Sequence, residues 1–326
     1  GKINILIGTH ALFQEEVAFK DLAFAVIDEQ HRFGVQQRLL LSQKGNLADI
    51  LVMTATPIPR TLVLTAYGDM EYSKIDRVPA GRKPVDTRVL PLDKLPEVVA
   101  ALKRKLASGV RAYWVCPLVE ESEKSDLAAA EERFAALQKI FGADVGLVHG
   151  KMKEKDKDAV MEKFKLGQIK LLVATTVIEV GVNVPEATLM IIEHAERFGL
   201  AQLHQLRGRI KRGFAESTCL LLYNPPLSAT ARDRLNIMRE SEDGFLIAEK
   251  DLELRGGGEI LGTRQSGFSE FKIADMSVHK NLLHIANQDA KLILELDPNL
   301  SSPRGQALRT LLYLFEKDDT VRTYRS

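Results

Sequence analysis

The sequence predicts an α/β fold on parallel sheets, in two lobes of which the first is partial and the second complete, followed by a helical extension. Three observations carry that prediction. Apolar runs end abruptly in polar, turn-forming residues, as Leu22-Ala23-Phe24-Ala25-Val26-Ile27 ends in Asp28-Glu29. From Val110 to Tyr223 such runs alternate with amphipathic stretches, the pattern of parallel strands joined by right-handed crossovers. Beyond Tyr223 the strands stop.

Gly1-Lys2 leads straight into Ile3-Asn4-Ile5-Leu6-Ile7, a strand-like run with no initiator Met, so the chain reads as a piece of a longer one. Gly8-Thr9-His10-Ala11-Leu12 turns the chain into the next segment. The run Leu22–Ile27 follows, expected as a strand buried on both faces. In open α/β sheets ligands lie at the carboxyl ends of the strands. Asp28 is there suited to hold Mg²⁺ and Glu29 to orient an attacking water, a Walker B arrangement. By itself the dipeptide fits an ordinary strand end with two solvated carboxylates better. A third expected strand, Ala48 to Met53, runs into Thr54-Ala55-Thr56-Pro57, whose hydroxyls can bond the carboxylates of the neighbouring strand end. The phosphate-binding pattern GxxxxGK[ST], in which amides at a helix start cradle phosphates, occurs nowhere in the 326 residues.

Pro79 to Pro96 concentrates prolines and charges with little helical periodicity and reads as a link between lobes. The second series is then strand Val110–Leu118, helix Asp126–Phe141, strand Val145–His149, helix Lys155–Phe164, strand Lys170–Ala174, strand Thr188–His194, helix Leu200–Arg207 and strand Ser217–Tyr223. In its first helix Leu127, Phe134, Leu137 and Phe141 recur at three-to-four spacing, with Asp126 placed to cap the start and Gly142 to end it. Interleaved acids make the lysine-rich run Lys151 to Lys157 a solvated helix start, and Tyr113 and Trp114 read as strand residues of the core or edge.

Thr175 to Pro185 follows a buried run and is unusually structured for a loop: hydroxyls at the strand end suit phosphate contact, and Gly181 lets backbone approach a ligand closely. In Gln202 to Gly213 four cations fall within six residues, a density that calls for an anion facing them or for a basic surface patch. Arg209 and Arg212 stand at i, i+3, so a helical path presents both guanidinium groups on one side, where they can neutralise charge on a transferred phosphoryl group.

The tail reads as helices over Ser228–Glu240 and Phe245–Leu254, a break at Gly256-Gly257-Gly258, a polar loop to Gly267, and two more helices near Asp275–Leu296 and Arg304–Lys317. With 45 Lys and Arg against 44 Asp and Glu the net charge is +1, so any nucleic-acid surface is local and no global field marks one. Cys116 and Cys219, far apart and without CxxC, fit a reduced cytosolic protein and no metal site. No apolar run approaches the roughly 20 residues that span a bilayer.

Taken together, DEQHRFGVQQR, TATPIPRT, GRKPV, AYWVCPL, ATTVIEVGVNVPEA, ERFGLAQLHQLRGR and DLELRGGGEILGTRQSG, in this order, closely resemble the RecG family, from Gly8 to about Asp275. That resemblance implies a superfamily-two motor of two RecA-like lobes with ATP between them, tracking along double-stranded DNA in the bacterial cytosol, at the nucleoid, to remodel forks and Holliday junctions. It implies Asp28 and Glu29 as the Mg²⁺-holding and water-activating pair, and His31 as a link between lobes. Thr54 and Thr56 match motif III. Thr9, Thr175 and Thr176 match DNA-contacting positions and Gly181 a nucleotide-contacting one. Gln205, Gly208, Arg209 and Arg212 match QxxGRxxR, with the two arginines as fingers. Arg234, Arg255 and Gln265 match the element that transmits lobe closure to the duplex. The implied division is 1–88 for the end of the first lobe, 89–225 for the second and 226–326 for the helical element. Departures are Lys211 and Gly257, where the family usually has glycine and proline, and Asn183 for a frequent aspartate. The family's phosphate loop and wedge domain have no counterpart among these residues, so the chain alone is expected to be inactive. Two rivals stay open: the motor of a transcription-repair coupling factor, and a catalytically silent module that binds DNA or a partner.

Overall fold

The computed structural model describes residues 3–14, 16–28, 44–45, 48–54, 73–75, 81, 83–117, 123–175, 184–210, 215–255, 273–274 and 276–315. They fall in two units, Gly1–Pro57 and Ile58–Ser326.

In the first unit Phe24–Ile27 (β1) and Asp49–Val52 (β2) pair in parallel, from Phe24 opposite Asp49 to Ile27 opposite Val52. Met53 continues the ladder, its amide donating to the Ile27 carbonyl at 2.8 Å. Burial on both faces does not hold for this strand. Ala25 and Ile27 are buried, while Phe24 is 55% and Val26 52% exposed, so an apolar run here has only one covered face. The Ile3–Ile7 run forms no strand; no ladder pairs it among the described residues, and Ile7 is 91% exposed.

The second unit is organised on six parallel strands: Val85–Pro91 (β3), Arg111–Val115 (β4), Val145–Val148 (β5), Leu171–Ala174 (β6), Ala187–Ile192 (β7) and Ser217–Tyr223 (β8), in the spatial order β3-β8-β7-β4-β6-β5. Helices Leu95–Ala107 (α1), Glu123–Phe141 (α2), Glu154–Lys165 (α3) and Leu200–Gly208 (α4) lie between them in the chain. Alternate residues of β4 enter opposite layers. Ala112 and Trp114 pack with Leu102, Leu106 and Leu137 of α1 and α2. Tyr113 and Val115 pack with Phe164 of α3 and Leu200, Leu203 and Leu206 of α4. Each layer removes several large apolar side chains from water, at about 2 kcal/mol apiece before conformational entropy is charged. Here the double burial expected of a parallel sheet is met: all of β6 is buried, Trp114 is fully buried, and the Tyr113 and Phe164 rings stand 5.1 Å apart.

The stretch read as a link holds β3 and the start of α1. Its Val85 and Thr87 alternate with exposed Asp86 and Arg88, the period of a half-buried edge strand. Pro96 occupies the first turn of α1, where the missing N–H is not needed. In α2 the helix begins at Glu123, so Asp126 lies within it and is no cap; Gly142 does end it, with φ of 62° in the left-handed region.

Ala229–Glu240 (α5) is capped by Ser228, whose Oγ accepts from the Ala231 amide at 3.2 Å, and Gly244–Arg255 (α6) by Asp243, whose Oδ1 accepts from the Phe245 amide at 2.9 Å. Met276–Leu296 (α7) and Pro303–Leu314 (α8) are joined through Asp297, which accepts from the Ser301 and Ser302 amides at 2.8 and 2.9 Å. A Cβ on Gly305 would lie 2.3 Å from that carboxylate, so only glycine fits there. Bonding to the Ser302 hydroxyl, and to the Ser301 and Ser302 amides, holds the Asp297 carboxyl at about 2, below its ordinary 3.8. A lowered folded value means the carboxylate stabilises the turn fully above pH 4 and loses that contribution as pH falls towards 2. Hydrogen exchange at the Ser301 and Ser302 amides should therefore be protected at pH 5, and the protection should vanish in Asp297→Ala; equal protection in both proteins would refute the role.

Candidate functional site

In the first unit the parallel pairing brings Asp28 and Thr54 to neighbouring strand ends: Asp28 follows β1 directly and is exposed, and Thr54 stands just past β2, half-buried. An exposed carboxylate at the carboxyl edge of a parallel sheet offers the hard oxygen that Mg²⁺ takes. Glu29, His31 and Thr56 lie outside the described residues. Thr9 is exposed ahead of a single turn of 3-10 helix, His10–Phe13, and its side chain makes no capping bond there.

In the second unit one candidate, Thr175, stands at the carboxyl edge of the sheet. Cys116, after β4, donates its amide to the Ala174 carbonyl of β6 at 2.8 Å, and the Glu193 amide, after β7, donates to the Val115 carbonyl at 2.9 Å. Thr175 follows β6 on this edge with 4% exposure. Thr176 and Gly181 are outside the described residues.

From Glu193 a short connection feeds α4, the helix that ends just before Arg209, and it is held on two sides. The Glu193 side chain is buried and accepts hydrogen bonds from the Trp114 indole N–H and from Arg133 Nη2, the latter at 3.0 Å. His194 takes the left-handed conformation, φ 48°, and its Nδ1 stands 3.1 Å from the Glu196 carboxylate. Arg234 of α5 then donates to the Phe198 carbonyl at 3.0 Å and to the Glu196 carbonyl at 3.3 Å. Thus Arg234 secures the turn from which α4 starts.

Gln205 is half-buried and Gly208 exposed on α4, which ends at Gly208. Arg209 follows in helical conformation, half-buried, its amide bonded to the Leu206 carbonyl at 2.9 Å. Its neighbours pin it: Ile210 is buried and its carbonyl accepts from Ser217 Oγ at 2.8 Å. Arg212, the side chain of Arg255 and Gln265 lie outside the described residues.

Arg207, the first of the four cations, turns inward. It is 2% exposed, and its Nη1 donates to the Met238 carbonyl at 2.6 Å and towards Thr87 Oγ1 at 3.5 Å, while Nη2 stands 3.2 Å from His204 Nδ1. Burial lowers its proton affinity from the ordinary arginine value, against the opposing pull of Glu242. Cys219 beneath it is pushed up to about 12 by burial, so it is a protonated core thiol. Spacing alone gave Arg207 no role. Its place at i+7 from Leu200 and i+4 from Leu203, on the apolar stripe of the helix, was the available signal. Trp114, Arg133 and Glu193 were also missed, being far apart in sequence.

The family described as "Helicase conserved C-terminal domain" matches residues 93–213, and the one described as "ATP-dependent DNA helicase RecG, domain 3, C-terminal" matches residues 241–321. The chain is 55% identical over 299 residues to the ATP-dependent DNA helicase RecG of Acidithiobacillus ferridurans, covering 91% of this chain and 44% of that protein. To the protein of the same name from Bacillus subtilis (strain 168) it is 50% identical over 311 residues, covering 95% and 46%. A solved structure of RecG bound to a three-way DNA junction aligns with a TM-score of 0.64 and 43% identity, over 85% of this chain and 35% of that one. The chain thus spans less than half the length of the curated relatives it matches.

Proposed function

We propose that this chain, which belongs to the RecG family of ATP-dependent DNA helicases, forms part of a motor that hydrolyses ATP to move along double-stranded DNA and remodel branched junctions. The observation that carries the reading is the physical join between two differently matched segments. Arg209 leaves a helix of the helicase-matched part, while Arg207 and Arg234 bond that helix and its leading turn to α5, the helix that leads into the RecG-matched part. Branched DNA as the substrate class is supported by the junction-bound relative.

In this reading residues 1–88 close one RecA-like lobe, 89–225 form the second, and 226–326 form the translocation element. Asp28 would hold the Mg²⁺ of a bound nucleotide, an ion that neutralises phosphate charge during transfer. Glu29 would orient the attacking water, His31 would link the lobes, Thr54 and Thr56 would bond the carboxylates, and Gln205, Gly208 and Gly181 would contact the nucleotide. Arg209 and Arg212 stabilise the charge that develops on the transferred phosphoryl group. Thr9, Thr175 and Thr176 contact the DNA backbone, and Arg234, Arg255 and Gln265 relay motion to the duplex. The work takes place on bacterial DNA; among the described residues no helix is long and apolar enough to cross a membrane.

The test is ATP hydrolysis with a three-way junction, in a full-length RecG protein carrying these residues and in the 326-residue chain alone. Junction DNA should stimulate the full-length protein, and Glu29→Gln should cut that rate at least about a hundredfold. The chain alone, which has no GxxxxGK[ST], should bind ATP very weakly and show no measurable turnover. Undiminished hydrolysis by Glu29→Gln would favour the silent-module reading instead.

A further inference from the structure

A buried arginine that meets no substrate needs another reason for its charge. Arg207 is sealed between α4, the end of α5 and strand β3. The Met238 carbonyl it bonds belongs to the last turn of α5, where helix geometry leaves carbonyls without an intrahelical donor, and a cation at that end also meets the negative pole of the helix. On the far side, Thr87 Oγ1 donates to the Val85 carbonyl at 3.3 Å, and the Val85 amide donates to Glu242, just beyond α5. On its own helix His204 offers Nδ1 to Nη2, which requires that nitrogen to be unprotonated. One guanidinium therefore spans three elements with a fixed fork, two residues before Arg209.

We infer that Arg207 is a positioning residue: it gears the helix that presents Arg209 to α5 and through it to the α5–α6 pair, so that a shift of either moves the other. Rigid packing supports the same direction of transmission, since α4 rests on α6 as well as on α5 and all three contribute to one apolar layer. Lysine cannot substitute fully, because a single ammonium lacks the planar fork that bonds Met238 and faces His204 at once. The DNA side of this inference rests on the function proposed above; the mechanical link does not.

Two measurements test it. In the 326-residue chain, Arg207→Gln should raise hydrogen exchange in the last turn of α5 and in α4 together, by about tenfold, with Arg207→Lys between the two. Unchanged exchange in α5 overturns the link. In a full-length RecG protein with these residues, Arg207→Gln should leave the KM for ATP within about twofold while stimulation by junction DNA falls about tenfold, and Arg207→Lys should restore part of it. Stimulation that persists undiminished, or kcat and KM failing together with lysine no better than glutamine, overturns the gearing. Absence of junction-stimulated hydrolysis in the unsubstituted protein would instead refute the proposed function, leaving the exchange measurement to judge the link by itself.

Discussion

Arg209→Ala is expected to lower junction-stimulated ATP hydrolysis in a full-length RecG protein by about a thousandfold, because a guanidinium aimed at a transferring phosphoryl group contributes on that scale. Arg209 stands where the backbone is held on both sides. Its backbone is bracketed by Arg207, fixed to Met238, and by Ile210, fixed to Ser217, so its origin is set while its own side chain is only half-buried. Nucleotide affinity should change far less than turnover, since the charge it answers develops during transfer. Arg209→Lys should recover little. Single-turnover hydrolysis with saturating junction DNA is the measurement, and a loss smaller than about tenfold would remove Arg209 from the chemistry.

The second large effect concerns stability. Glu193→Ala strips the partner from both the Trp114 N–H and the Arg133 guanidinium, beneath the sheet edge that feeds the arginine helix. Breaking a buried ion pair by deleting one member costs about 3 to 5 kcal/mol; Arg133 keeps 27% exposure, which places the expected loss near about 3 kcal/mol. Glu193→Gln, which can still accept from the indole, should lose less. Urea unfolding followed by the emission of Trp114 reads both variants, and a loss under about 1 kcal/mol would show the cluster to be incidental.

Much of the second sheet was legible because its strands combine short apolar runs with abrupt ends, and its helices keep a three-to-four spacing. Arg111–Val115 and Leu171–Ala174 were readable as doubly buried strands for that reason. The same pattern misled at Leu22–Ile27, since burial on a second face depends on what lies over it, which no run of residues encodes locally. Pro96 disguised α1, because proline breaks a helix interior yet suits its first turn. At the site, spacing singles out Arg209 and passes over Arg207, which has the same chemistry but an inward azimuth and an acceptor, a backbone carbonyl, that sequence cannot point to. The charge cluster at Glu193 was hidden by distance along the chain.

The strand order has a consequence for how the protein is made. Among the described residues β3 opens the second sheet in sequence and pairs with β8, which comes last, so Val85 must wait for Ser217 before their ladder can form. Contacts this remote form slowly. During synthesis the nascent sheet stays open, with its aliphatic layers accessible to chaperones, until Tyr223 has cleared the ribosome. Arg207 meets Thr87 and Met238 later still, so the docking of α5 comes among the last steps of assembly.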